Sequence, residues 1–353
     1  MSFLAFLWWS SLVLGAAALA WMGGLILARV LRERSDRRRA ADQDRVRGLF
    51  LEIMRGDVEA ERRLKPYQAR ARLMAEALVE VLSLVRGAER EQLTECLARL
   101  GVADQLRLRL DRGSRAGRIA AAEALSAFPD VATVEGLRSA LAQSRDGDFR
   151  VAVLTALLDL DAAPPLHTML TDLAARGVQG SLLYEPAIRR AAAAAPTEAL
   201  DVFILAQAPS ATQAVLAEAL GASGDYRALE PLARTAAAPE LELRIASVRA
   251  LGLLGHPAGE PAVTRALSDP AWEVRAAACE AAGRIGLSQA APLLLQALSD
   301  PAWWVRFRAG EALAMLGDGG IAGLRLAVAG DQDVVRRAAS LALAERGLTE
   351  GAS

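Results

Sequence analysis

The strongest constraint on this chain is a phrase that recurs at a fixed step. Asp269-Pro270-Ala271-Trp272-Glu273-Val274-Arg275 returns as Asp300-Pro301-Ala302-Trp303-Trp304-Val305-Arg306. A worn copy, Asp331-Gln332-Asp333-Val334-Val335-Arg336, follows, and the leading aspartates stand 31 residues apart each time. A period of that length belongs to a supersecondary unit that cannot bury its apolar face alone and must stack on its neighbours. Asp suits a helix N-cap and Pro the first helical position, where no amide is needed. Arg306, Ala309, Ala312 and Leu313 then fall on one side of a 3.6-residue helix, and Gly317 ends it. A second apolar helix, such as 291–298, precedes each Asp-Pro, so one repeat reads as a helical hairpin.

The same ruler runs backwards. Arg275 to Ala282, Arg244 to Leu251, Arg150 to Leu157 and Arg118 to Leu125 share a seven-residue step, and Gln213 to Leu220 keeps it with Gln for Arg. From Gln213 onward the steps are 31, 31, 31 and 30, and Arg189 marks an intermediate repeat in the gap before Gln213. That gives about nine hairpins in an all-α chain.

The Asp-Pro-x-Trp-x-Val-Arg-x-x-Ala-x-x-Ala-Leu copies at 269 and 300 resemble HEAT-like repeats of the phycobilisome-lyase type. The resemblance covers roughly 90–345, most clearly after 210. It implies a right-handed superhelical solenoid, and it implies that the Arg of one repeat forms a ladder with the Asp of its neighbour. It does not imply lyase activity.

Residues 1–28 carry no charged side chain. Residues 3–28 would form a helix of about 39 Å at ~1.5 Å per residue, enough to span a bilayer with tilt. No basic region precedes the run and it is too long for a signal-peptide core, so the expectation is a retained transmembrane helix. Eight arginines lie between Arg29 and Arg47. The positive-inside rule then puts the N-terminus outside and the rest in the cytoplasm. Ala16, Ala20, Gly24 and Ala28 recur every fourth residue, a ribbon of small side chains suited to helix packing in lipid. The expected organisation is a membrane helix over 1–28, a basic juxtamembrane segment and connecting helix over 29–63, and a solenoid over 64–353. Gly56-Asp57 would interrupt the connecting helix, and Pro66 would open a helix reaching Arg86.

The sequence offers no catalytic constellation. His167 and His256 are the only histidines and lack ligand spacing to Cys or acid. Cys96 and Cys279 read as buried core residues rather than a disulfide pair. Net charge is −1, so no global field favours nucleic acid. No cofactor, metal or small-molecule substrate is expected. Candidate partner-binding residues come from three features. Glu218, Glu280 and Glu311 share a repeat position, with Glu95 and Glu123, about 140° round the helix and away from the apolar stripe. Trp304 is the additional aromatic beside Trp272 and Trp303, which occupy one repeat position and should pack between repeats. Tyr184 lies in the 177–186 stretch, longer than a tight hairpin needs.

Together these point to a non-enzymatic scaffold on the bacterial inner membrane. Its partner would be a membrane protein such as a glycosyltransferase or a secretion or transport component. The alternative is a bilin lyase or isomerase.

Overall fold

The computed structural model describes residues 40–85, 87–178, 181–205 and 208–348, together with residues 8, 9, 21, 22, 24, 29, 37 and 38. The described residues are helical, with no strand among them. No helix among them is long and apolar enough to cross a membrane. The expected span over 3–28 lies outside the described residues except Trp8, Trp9, Trp21, Met22 and Gly24. Of the small-residue ribbon, Ala16, Ala20 and Ala28 lie outside them too. Gly24 is exposed, with nothing within 4 Å of where a Cβ would stand.

The chain divides into two compact units, one up to Ala162 and one from Ala163. The divide falls beside Asp161, held at φ 50°, and just before Pro164-Pro165, which offer no amide to continue a helix.

In the first unit, a helix over 40–54 ends at Gly56, which takes φ 85°. The Asp57 carboxylate then accepts from the Glu59 amide at 2.8 Å and starts Val58–Leu64. Pro66 does not open a long helix. It sits in the 3-10 turn Lys65–Tyr67, and the next helix, Ala71–Leu84, begins only after Arg70 leaves helical geometry. Phe50, Leu64, Met74 and Leu78 form its buried core. The Ser114 hydroxyl accepts from the Gly117 amide and so caps the helix Arg115–Leu125. Arg115–Leu125 packs on Gly147–Asp159, and Val131–Gln143 lies against the latter.

The second unit holds the regular stack. Ser210–Ser223, Leu241–Leu254, Trp272–Ile285, Trp303–Met315 and Asp333–Glu345 pack side by side in sequence order. The shorter Leu229–Thr235, Glu260–Ala266, Ala291–Ala297 and Asp318–Val328 pair with them as the first helices of successive hairpins. Gly224, Gly255 and Gly286 end three of the long helices in the left-handed conformation that only Gly adopts without strain.

The long helices approach one another along a seam of small residues. A Cβ on Gly221 would stand 2.5 Å from the Ala250 Cα, one on Gly252 2.7 Å from the Ala281 Cα, and one on Gly283 2.8 Å from the Ala312 Cα. Glycines and alanines both advance by the 31-residue period, so one backbone contact is made three times. At the fourth step the glycine position holds Ala314, and the close approach to the last helix is made by Gly310, where a Cβ would stand 2.8 Å from the Ala342 Cβ.

The Asp-Pro pair does not serve as N-cap and first helical residue. The helices begin at Trp272 and Trp303, with Ala271 and Ala302 as caps. Asp269 and Asp300 instead accept from the Ala271 and Ala302 amides, each at 2.8 Å, in turns just before the helix. A turn of this kind frees the second carboxylate oxygen for a neighbour.

Candidate interaction surface

The neighbour is an arginine of the preceding repeat. Arg244 Nε and Nη2 donate to Asp269 at 3.1 and 3.3 Å, and Arg275 Nε and Nη2 donate to Asp300 at 2.7 and 2.9 Å. The Nη1 edge of each guanidinium turns the other way. Arg244 Nη1 donates to the Ala238 and Pro239 carbonyls, and Arg275 Nη1 to those of Asp269 and Pro270. Each arginine thus joins the turn before its own helix to the turn before the next one. Burial works to raise the Asp300 carboxyl, but hydrogen bonds from Arg275 and the Ala302 amide outweigh it and hold the carboxyl below the usual range. This is the ladder that the resemblance implied.

The third rung departs from it. Arg306 Nη1 donates to the Asp300 and Pro301 carbonyls as expected, at 2.8 and 3.0 Å. Among the described residues no carboxylate bonds its other edge. The reason is one missing residue. Asp269 and Asp300 stand three positions before Trp272 and Trp303, where the next helices begin, but the last helix begins at Asp333, which places Gly330 in that position. Asp331, in phase by sequence, is therefore one position out of phase in space. The rung before the ladder is missing on both sides: Gln213 replaces the Arg and Ala238 the Asp. The buried Gln213 amide nitrogen has no hydrogen-bond partner among the described residues.

The glutamate row is engaged within the fold. Arg189 Nη1 bonds Glu218, while its Nη2 donates to Glu185 at 2.8 Å. Glu280 pairs with Arg284 at 2.8 Å and lies 3.8 Å from Arg308, which donates to Glu311 at 2.7 Å. Glu95 and Glu123 are exposed. Three of the five carboxylates are thus held by guanidiniums, which reduces the charge the row presents outward. Glu280–Arg284 and Glu311–Arg308 lie within single helices, whereas Arg189 reaches Glu218 from another helix, which a shared repeat position could not show.

Tyr184 is not available to a partner: it is 3% exposed and closes the 3-10 turn Leu182–Tyr184, while Leu182 and Leu183 point outward. The turn puts the ring inside and the two leucines outside. Trp304 is exposed, and so are Trp272 and Trp303. Trp303 stacks on Phe307 of its own helix, with centroids 5.1 Å apart and planes 14° from parallel, and meets Trp304 edge-on at 4.7 Å. Among the described residues no ring contact joins Trp272 to Trp303, and the ring contacts of Trp303 are with residues of its own helix.

Sequence reasoning missed the pairing of His167. Its Nδ1 lies 2.6 Å from Glu198 Oε1, and its amide donates to the same oxygen at 3.0 Å. The two residues are 31 apart, so the period itself carried the signal. His256 accepts from the Ala258 amide and lies against Tyr226, a helix-end role. Cys96 and Cys279 are buried free thiols, pushed up to about 11 and about 12, chiefly by burial.

Residues 259–344, which hold the closed Arg275–Asp300 rung and the aromatic helix, match the family model described as HEAT repeats. The chain carries HEAT-like repeats. No curated protein matches it. Among solved structures it is similar to an engineered protein at 17% identity, covering 89% of this chain and 96% of that one, with a TM-score of 0.37. It is similar to the complex of CpcE and CpcF of phycocyanin lyase from Nostoc sp. PCC7120 at 19% identity, covering 68% and 75%, with a TM-score of 0.30. It is also similar to a Kap121p mutant at 14% identity, covering 84% of this chain and 42% of that one, with a TM-score of 0.48. HEAT-like repeats build extended surfaces for protein partners, which fits an interaction scaffold at the coarse level.

Proposed function

We propose that this chain is a non-enzymatic scaffold, anchored in the inner membrane by residues 3–28, with its repeats in the cytoplasm and a membrane protein as its partner. A glycosyltransferase or a secretion or transport component is the client class that fits such a placement. The reading of the repeats as a binding surface is carried by one observation: the exposed Trp303 and Trp304, clustered with the half-buried Phe307 on one helix of the regular stack. Large aromatic side chains left in water on a rigid scaffold are typical anchors of protein interfaces. The placement is supported by the charge-free run over 1–28 followed by eight arginines.

The test uses the full chain, tagged after Ser353 and purified from membranes in mild detergent. The expected result is a membrane protein that co-purifies stoichiometrically and is reduced at least fivefold by Trp304→Ala. A reporter fused after Ser353 should be active only in the cytoplasm. A mature N-terminus near residue 25, or a periplasmic reporter signal, would overturn the anchor and the adapter role together.

A further inference from the structure

We propose that the end of the regular stack is a carboxylate seat for a partner polypeptide. An aspartate or glutamate of the partner binds the open edge of Arg306 while an adjacent apolar residue enters the groove beside Trp303 and Phe307. The inference rests on the scaffold reading above and adds the surface and the partner's chemistry.

The argument is an internal comparison. Arg244, Arg275 and Arg306 occupy one repeat position, and all three use Nη1 to bond two carbonyls of the turn before their helix. The first two close their Nε–Nη2 edge on an aspartate of the next repeat. For Arg306 the corresponding residue is Gly330, because the turn before Asp333–Glu345 is one residue short. The planar Nε–Nη2 fork of arginine matches a carboxylate in geometry as well as charge. The chain therefore presents, at its last rung, a donor pair whose acceptor it supplies itself at the two earlier ones.

The surroundings fit a peptide rather than a free acid. Arg306 lines a groove of about 350 Å³ with Trp303, Phe307, Val334, Leu341 and Arg337. Val334 and Leu341 are exposed, and Trp303 and Phe307 form a stacked wall. Arg337 uses Nε on the Asp333 carbonyl at 3.2 Å, and its guanidinium adds a second positive charge to the groove. Two cations between an aromatic wall and an aliphatic one complement a carboxylate with an apolar or aromatic residue beside it. The chain's own Asp300-Pro301-Ala302-Trp303 turn, which fills the equivalent seat on Arg275, has that composition.

That turn supplies the probe. A fluorescein-labelled peptide copying residues 298–306, and the same peptide with Asp300→Asn, are titrated against the full-length chain in detergent at low salt, with anisotropy as the readout. The Asp peptide is expected to bind at least tenfold more tightly than its Asn twin, and Arg306→Gln should remove that difference. Gly330→Asp places a carboxylate in the chain's own seat; the nearest atom to its Cβ is the Ala327 carbonyl oxygen at an ordinary 3.4 Å. It should raise Tm and block the Asp peptide, which keeps the test clear of folding defects. Equal affinity for the two peptides, no binding up to millimolar concentration, or a Gly330→Asp chain with unchanged Tm and unchanged binding would overturn the seat. If the seat fails while a membrane protein still co-purifies with the chain, the scaffold reading stands; if co-purification fails as well, both fall.

Discussion

Between Ser114 and Asp159 the hairpins are closed differently from those between Leu241 and Met315. In both stretches an arginine reaches back six residues to a turn carbonyl: Arg150 to Ser144, Arg244 to Ala238, Arg275 to Asp269, Arg306 to Asp300. In the later stretch the far edges of Arg244 and Arg275 then grip a largely buried aspartate 25 residues on. In the earlier one, the exposed Arg115 bonds Asp146 and Asp148. Arg118 instead lays its guanidinium 4.1 Å over the Phe149 ring and donates to the Leu110 carbonyl. The carbonyl bond answers a need of every hairpin, since helix ends leave backbone acceptors without partners. The carboxylate answers a need of register between repeats, and at Gly330, where the register shifts by one residue, it is missing.

The largest effect should come from the seam. Gly252→Ala forces a methyl group against the Ala281 backbone and should cost about 1–3 kcal/mol by overpacking. Gly136→Ala, where the nearest atoms to the added Cβ are side-chain carbons at 3.8 Å, should instead stabilise by about 0.5–1 kcal/mol, the ordinary gain for Gly to Ala within a helix. Thermal unfolding of the two variants measures the contrast, and shifts of the same sign would remove the seam from the account.

Next in size are the rungs. Arg275→Ala leaves two carbonyls and a buried carboxylate unpaired and should cost about 1–3 kcal/mol, whereas Arg306→Ala loses only carbonyl bonds and should cost about 1 kcal/mol. The exposed Arg38→Ala should stay within about 0.5 kcal/mol of the parent chain. Equal denaturant midpoints for the three would dissolve the distinction between closed and open rungs.

The smallest effect is expected on acidification. The Asp300 carboxyl is held low in the fold, so its contribution is fully present above the unfolded value near ~3.9 and is lost as pH falls through the folded one. Asp130 and Asp146 in the earlier stretch are held low as well. Below about pH 4, Tm of the parent chain should therefore fall more steeply than Tm of Asp300→Asn, with the two curves converging towards pH 2. Parallel curves throughout would assign the acid sensitivity to other carboxylates.

Much of the regular stack was legible because its determinants repeat. The Arg positions, the helical hairpins and the buried cysteines all follow from a period and an apolar stripe. What stayed hidden depends on relations between helices. Asp269 and Asp300 read as caps because the Asp-Pro pair suits a helix start, yet the backbone makes one more turn before the helix, and the carboxylate faces a neighbour. The one-residue offset at Gly330 was visible as a step of 30 between Arg306 and Arg336, but the aspartates kept a step of 31 and masked it. Pro66 read as a helix start for the same reason as Pro270, and both lie in turns that precede the helix. Glu218, Glu280 and Glu311 fall on the 31-residue period, but their arginines are supplied by positions that follow no shared step. Tyr184 was singled out by the length of its loop, which says nothing about which side chain turns inward.

The seam of Gly221, Gly252 and Gly283 has a mechanical consequence. Side chains at a helix interface are the springs of a protein: they hop between rotamers and take up small displacements. Glycine against alanine has none to offer, so a push on one long helix passes to the next as motion of whole backbone segments. The three seam contacts should therefore behave as a stiff leaf, and the close approach of Gly310 to Ala342 carries that stiffness on to the last long helix.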